Sequence, residues 1–182
     1  NCLFFIFLVV LLSCLCVLCN GAELSNRKIA WGFRRDGICQ RPVLDKESRE
    51  IIEKYNGICI GDENEKVMYL TFDAGYEAGY TNQILDVLKK HNVKAAFFIT
   101  GHYLNTASDL VKRMIEEGHI VGNHTVNHKC MPNLSDEEIK NEIMNLHNAV
   151  FEKFGYEMKY FRPPKGEFSQ RVVKLAKDLG YT

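Results

Sequence analysis

The chain has 182 residues, 23 basic and 23 acidic side chains, no net formal charge, 46% hydrophobic residues and seven cysteines. That length suits one domain, or one domain with a leader. The balanced charge argues against a nucleic-acid binder, and 25% charged residues with only 13 Gly and 4 Pro exclude a disordered or collagen-like chain.

The averages hide an asymmetry. Residues 1–22 contain no Lys, Arg, Asp or Glu, and the apolar run Cys2–Leu18 is broken only by Ser13. No polar stripe of a core or surface helix is visible in it. It reads as a secretory signal, with Asn20-Gly21-Ala22 around a cleavage site, or as a retained N-terminal anchor. Lipid attachment at Cys14, in Leu11-Leu12-Ser13-Cys14, is a third reading, disfavoured because the apolar run continues past it. The signal and the anchor both place the remainder outside the cytoplasm. The chain opens on Asn, without a start Met or a positive n-region, so a clipped N-terminus is expected.

Three cysteines lie beyond the leader: Cys39, Cys59 and Cys130. A Cys39–Cys59 disulfide fits an oxidising compartment, but small buried or neutral surface residues are the plainer reading. No CxxC spacing appears, so a zinc-thiolate site is not expected.

Residues 23–65 form an arm, with Trp31-Gly32-Phe33 as a packed segment and Ser48–Tyr55 as a short helix. From Lys66 the pattern becomes regular. Val67–Phe72 is apolar and rich in β-formers, so it predicts a buried strand. Thr81 caps a helix carrying Ile84, Leu85, Val87 and Leu88. Ala95–Thr100 is a second strand, closed by Gly101. Ser108 caps a helix with Leu110, Val111, Met114 and Ile115, ended by Gly118. Ile120–Asn123 is a third strand. Ser135 and Glu138 make a capping box for a helix with Ile139, Ile143, Leu146, Val150 and Phe154 on one face, ended by Gly155. Lys159–Phe161 is a fourth short strand, and Ser169 opens a helix that ends at Gly180. Tyr181-Thr182 reads as the approach to a further strand, so a chain continuing past its last residue is expected.

This β-α alternation predicts an α/β fold with a parallel sheet, either an open doubly wound sheet or a β/α barrel of which four units are present. Function then gathers at the C-terminal ends of the strands. Asp73 follows strand one, His124 and His128 follow strand three, and Arg162-Pro163-Pro164 follows strand four. The histidines, four apart, suit a transition metal, although H-x-x-x-H alone is a modest signal. Asp73 suits a general base, a metal ligand or a cap. Arg162 suits a partner for Asp73, with an ordinary surface Arg as the plain alternative. Ala74–Gly79 is neither a dinucleotide nor a P-loop motif. Its Tyr76 and Tyr80 offer rings for sugar faces, and His102 stands at the rim. His91, His119 and His147 read as solvated. Asn123 and Asn133 open weak glycosylation sequons.

Thr71-Phe72-Asp73, His124-x-x-x-His128 and Arg162-Pro163-Pro164, in this order, resemble the polysaccharide deacetylase family (carbohydrate esterase family 4, the NodB homology domain) from Lys66 onward. TFDAGYEAGYT, FFITGHYL, EEGHIVGNHTVNH and YFRPPKGEFS are closest to the branch that deacetylates N-acetylmuramic acid and forms the muramic δ-lactam in spore peptidoglycan. Trp31-Gly32-Phe33 is similar to a segment preceding the domain in that branch. The resemblance implies a deformed β/α barrel and hydrolysis of an N-acetyl group with release of acetate. It implies Asp73 as the base, His124 and His128 as ligands of a divalent metal such as zinc, and Arg162 as the residue that orients and charge-stabilises Asp73. Tyr76, Glu77, Tyr80, His102, Pro163 and Pro164 would line the substrate site, and peptidoglycan glycan strands would be the partner.

Two departures stand out. Ala74 occupies the position of the usual third ligand, an Asp, as it does in the muramic branch; water or Glu77 would fill the gap, or the metal would bind weakly or not at all. The family's later motifs, a tryptophan wall and a histidine acid, lie on strands beyond Thr182, so residues 1–182 alone are expected to be inactive or nearly so. Three readings follow: a secreted or anchored muramic deacetylase, an N-acetylglucosamine deacetylase of peptidoglycan or chitin-like polymers, and a catalytically dead wall-binding module.

Overall fold

The computed structural model describes residues 24–38, 41–62 and 64–182. The leader and Cys39, the partner considered for Cys59, lie outside the described residues.

The arm contributes β1 (Ile29–Ala30), β2 (Phe33–Arg34), β3 (Val43–Leu44) and α1 (Lys46–Lys54). Asp45 caps α1 by accepting from the Ser48 amide at 2.9 Å. β4 (Thr71–Ala74), α2 (Thr81–Lys90), β5 (Ala96–Ile99), α3 (Gly101–Thr106), α4 (Ser108–Glu116), β6 (Ile120–Asn123), α5 (Asp136–Phe154), β7 (Glu167–Phe168) and α6 (Gln170–Asp178) follow.

β4, β5 and β6 form a parallel sheet in chain order. Phe161 adds a single parallel bridge to Asn123, and backbone bonds from Phe161 N to Thr182 O and from Thr182 N to Lys159 O carry the order one step further. Among the described residues the order does not reverse, as expected of a partial, deformed β/α barrel. β1 lies antiparallel to β7, which fastens the arm to the segment after Arg162.

Strand alternation sorts the side chains. Phe72 and Ala74 pack with Phe97, Ile99 and Val121 under the helices, and Phe72 stacks on Phe97 at 4.9 Å between centroids. Asp73 and Phe98 take the other face and line a cavity. Helix α5 buries Ile139, Ile143, Leu146 and Val150, each worth on the order of 2 kcal/mol of burial. Its capping box forms through Ser135 and Glu138, and Gly155 ends it at φ 64°.

Several expectations need correction. The first strand is Thr71–Ala74, not Val67–Phe72; Val67, Met68 and Tyr69 are 58%, 81% and 67% exposed. β5 is four residues long and offers a ladder only to four, whatever the β-propensity upstream. The fourth strand shrinks to the Phe161 bridge. Thr81 and Ser108 are the first helical residues rather than caps, and Val87 faces outward. Thr100 caps the unforeseen α3 by accepting from the Tyr103 amide. His119 is buried, not solvated: its Nδ1 accepts from the Ala95 amide at 3.2 Å. His147 is half-buried, with Nδ1 2.7 Å from the Tyr181 hydroxyl.

Candidate active site

Asp73, His124, His128 and Arg162 come together at the C-terminal ends of the strands. Arg162 Nη1 donates to Asp73 Oδ1 at 2.6 Å. Both side chains are partly open, so charge alone holds the pair weakly. Phe98 adds a floor: the guanidinium carbon stands 4.1 Å from the ring centroid. Phe98 in turn lies over Gly122, where a Cβ would come within 2.6 Å of the ring. The Arg162 amide is tied to Asn123 O at 3.0 Å, which fixes the strand exit.

The second oxygen of Asp73 is turned toward His124 Nε2 at 3.9 Å. His124 Nδ1 is 2.8 Å from the Arg162 carbonyl. A carbonyl only accepts, so Nδ1 carries the proton and Nε2 keeps its lone pair. Burial lowers the His124 pKa, with the Arg162 carbonyl and Asp73 opposing, which favours the neutral ring. His128 lies beside it, ring centroids 4.9 Å apart at 62°.

A neutral imidazole oriented through Nδ1 by a backbone carbonyl is how metal-binding histidines are commonly held. The donors therefore fit a divalent cation in kind. In number they supply two of the three protein ligands a catalytic zinc site usually has. Ala74 brings no donor atom, and among the described residues no group of three or more His, Cys, Asp or Glu gathers to hold a metal.

Glu77 does not join the group. Its carboxylate accepts from the Gly79 amide at 2.6 Å, from the Thr81 amide and hydroxyl, and from the Tyr103 hydroxyl at 2.9 Å. Burial pushes this carboxyl up, but those bonds outweigh it and hold the group below the usual carboxylate range. It caps α2, whose own N-cap residue, Tyr80, makes no capping bond with its side chain. Tyr76 and Tyr80 are 73% and 65% exposed. His102 is exposed on the first turn of α3. Pro163 lines the cavity, and Pro164, buried, starts a 3-10 turn at Pro164–Gly166.

The cavity, about 600 Å³, reaches Asp73, Arg162 and Pro163 and is bounded by Trp31 of the arm; His124 and His128 stand outside its lining. Asn123 is fully buried, its amide oxygen taken by Thr125 N and its nitrogen by Ile143 O and the Tyr181 hydroxyl, so its sequon is closed to modification.

Two residues escaped the sequence reading. Phe98 looked like core. Glu142 sits on α5 between Ile139 and Ile143, 4% exposed, a carboxylate on the apolar stripe. That interruption of the stripe was the available signal. Burial pushes its carboxyl up, and bonds from the Asn127 side chain and amide and from Lys129 bring it below the usual range.

The family model for polysaccharide deacetylase matches residues 60–182. An uncharacterised 30.6 kDa protein of Geobacillus stearothermophilus is 51% identical over 164 residues, 90% of this chain and 62% of that protein. Peptidoglycan-N-acetylmuramic acid deacetylase PdaA of Bacillus subtilis is 44% identical over 157 residues, 86% of this chain and 60% of its own length. The PdaA structure, a family 4 carbohydrate esterase, superposes with a TM-score of 0.84 at 43% identity, over 87% of this chain and 68% of that one. A peptidoglycan-N-acetylglucosamine deacetylase of Bacillus cereus is 42% identical over 118 residues, 65% of this chain and 55% of that protein. The chain thus spans about 60% of the length of the first of these relatives. With the motif residues assembled as above, the chain belongs to the polysaccharide deacetylase family.

Proposed function

We propose that this protein hydrolyses N-acetyl groups on the amino sugars of peptidoglycan, on the outer side of the membrane, with N-acetylmuramic acid as its ring. The observation that carries the deacetylase reading is the Asp73–Arg162 pair set beside His124 at the strand ends.

Amide hydrolysis needs a base for water and positive charge where the carbonyl oxygen becomes an oxyanion. Asp73 is the base. Arg162 engages Oδ1 and leaves Oδ2 for the proton of the attacking water. The Phe98 ring holds the guanidinium so that this division of oxygens persists. His124 and His128 would hold a divalent metal such as zinc, which supplies Lewis acidity to the amide carbonyl and to water. The Arg162 carbonyl keeps the His124 proton on Nδ1 and so presents Nε2. Tyr76 and Tyr80 offer exposed rings to sugar faces, with His102 and Pro163 at the rim, while Pro164, being buried, only fixes the turn.

The choice of muramic acid rests on the arm. β1 pairs with β7 beside the Arg162 turn, and Trp31 lines the same cavity as Asp73. The PdaA match is longer than Lys66–Thr182 and so takes in part of the arm.

The test is acetate release from spore-type peptidoglycan by the full-length protein, with mass spectrometry of the glycan products. Loss of acetyl from muramic acid supports the proposal, and loss from glucosamine assigns the other ring. Absence of acetate with wild type and Asp73→Asn alike, while both bind the glycan, selects a wall-binding module, the reading that Ala74 favours.

A further inference from the structure

The turn from His124 to His128 is neither helix nor strand, and two of its residues have left-handed backbone: Thr125 at φ 69° and His128 at φ 54°. A β-branched residue there is an outlier that its surroundings must impose.

The amides show what imposes it. His124 N donates to Ile99 O at 2.9 Å. Thr125 N donates to Asn123 Oδ1 at 2.9 Å, and His128 N to Thr125 Oγ1 at 3.0 Å. The other two of the three amides between the histidines both end on Glu142: Val126 N on its backbone oxygen at 3.0 Å, Asn127 N on Oε2 at 2.8 Å. Oε1 takes the Asn127 side-chain nitrogen at 2.9 Å and Lys129 Nζ at 3.1 Å. No helix end needs this carboxylate, since Glu142 lies inside α5. An apolar residue would suit the stripe better, because a buried carboxylate is costly unless its partners require it.

We infer that Glu142 is a positioning residue: its carboxylate, by closing the turn over the Asn127 amide and side chain, sets the spacing and facing of His124 and His128. The inference deepens the deacetylase reading and rests on it for its link to catalysis. It does not rest on it for the link to the turn.

The experiment compares full-length wild type with Glu142→Gln, Glu142→Leu and Val150→Ala. Val150 is buried on the same helix about two turns beyond Glu142, and its side chain has no polar atom, so its truncation serves as the control for lost stability. Amide exchange at Asn127 and His128, zinc affinity by chelator competition, and kcat and KM are measured below every melting temperature. Glu142→Leu should speed exchange at both amides by about tenfold or more. It should weaken zinc binding and lower kcat by about 10- to 100-fold, as lost supports of metal ligands do, with KM within about twofold. Glu142→Gln keeps one acceptor oxygen and should fall between; if Glu142→Leu does not fold, Glu142→Gln decides. Val150→Ala should match wild type in all these readouts while melting lower. Wild-type exchange in the Glu142 variants overturns the inference, and so does faster exchange with unchanged zinc affinity and kcat. Equal losses in Val150→Ala overturn it too, by reducing Glu142 to general stability. If wild type itself neither binds zinc nor releases acetate, the deacetylase reading fails, and exchange alone decides whether Glu142 holds the turn.

Discussion

One methyl group at Gly122 tests whether the Asp73–Arg162 pair is set from beneath by the sheet. A Cβ there would lie 2.5 and 2.6 Å from two carbons of the Phe98 ring and 3.2 Å from Tyr160 O. Carbon contacts settle at about 3.5–4.0 Å, so the ring must move by roughly 1 Å. Phe98 is 8% exposed and bears the Arg162 guanidinium 4.1 Å above its centroid. Movement of the ring therefore shifts the donor that meets Asp73 Oδ1 at 2.6 Å. Overpacking of this size costs about 1–3 kcal/mol, and each kcal/mol lowers Tm by roughly 2–4 °C in a protein of this size. A 1 Å misplacement near a reacting group costs on the order of 10²-fold in rate, so kcat/KM should fall far more than stability. The assay pairs acetate release with thermal melts of Gly122→Ala, Phe98→Leu and the double variant. Leucine leaves room for the methyl, so the stability losses should be less than additive, with a coupling of about 1 kcal/mol or more. Additive losses, or wild-type kcat/KM in Gly122→Ala, would refute the reasoning.

Asp73→Asn keeps the shape and the acceptor for Arg162 but removes the base; kcat for acetate release should drop by about 10²–10⁴-fold with Tm nearly unchanged. Glu77→Ala frees the Gly79 and Thr81 amides and leaves the buried Tyr103 hydroxyl with Thr81 Oγ1 alone, so a loss of about 1–3 kcal/mol should appear in urea melts. Burial lowers the pKa of His119 below its ordinary value of 6.5, with Lys94 adding to this and Glu117 opposing. The neutral form therefore favours folding: its stability contribution is full above pH 6.5 and is lost as pH falls through the folded value. His124 is shifted the same way, so metal-free Tm should decline as pH falls below 6.5, and His119→Gln should flatten part of that decline.

The helices other than α3, and two of the three strands of the parallel sheet, were legible because they are local. Ser135 and Glu138 close their box within four residues, and the Ile139–Val150 stripe repeats at helical spacing. Asp73, His124, His128 and Arg162 were legible because strand alternation and chain order suffice to place reactive side chains at one end of a parallel sheet. What stayed hidden depends on neighbours distant in sequence. β-Propensity at Val67–Leu70 says nothing of a partner strand that begins at Ala96. His119 looked solvated because its acceptor role for the Ala95 amide spans 24 residues. Glu142 looked like one more charge on a helix because Asn127 is 15 residues away.

Asp73 and Glu77 carry the same functional group, four residues apart, yet serve opposite purposes, and partner count separates them. Glu77 has both oxygens occupied, by the Gly79 and Thr81 amides and by the Thr81 and Tyr103 hydroxyls, and nothing remains for a ligand. Moving it toward the histidines would uncap α2 and take one of two partners from a buried tyrosine hydroxyl, so it is a poor substitute for the donor that Ala74 lacks. Asp73 has one oxygen held by Arg162 and the other turned to the histidine pair. A base needs that asymmetry, one oxygen fixed for direction and one available for a proton. Composition and spacing assign carboxylates to a site, but only the count of bonds already made tells which of them is still free to do chemistry.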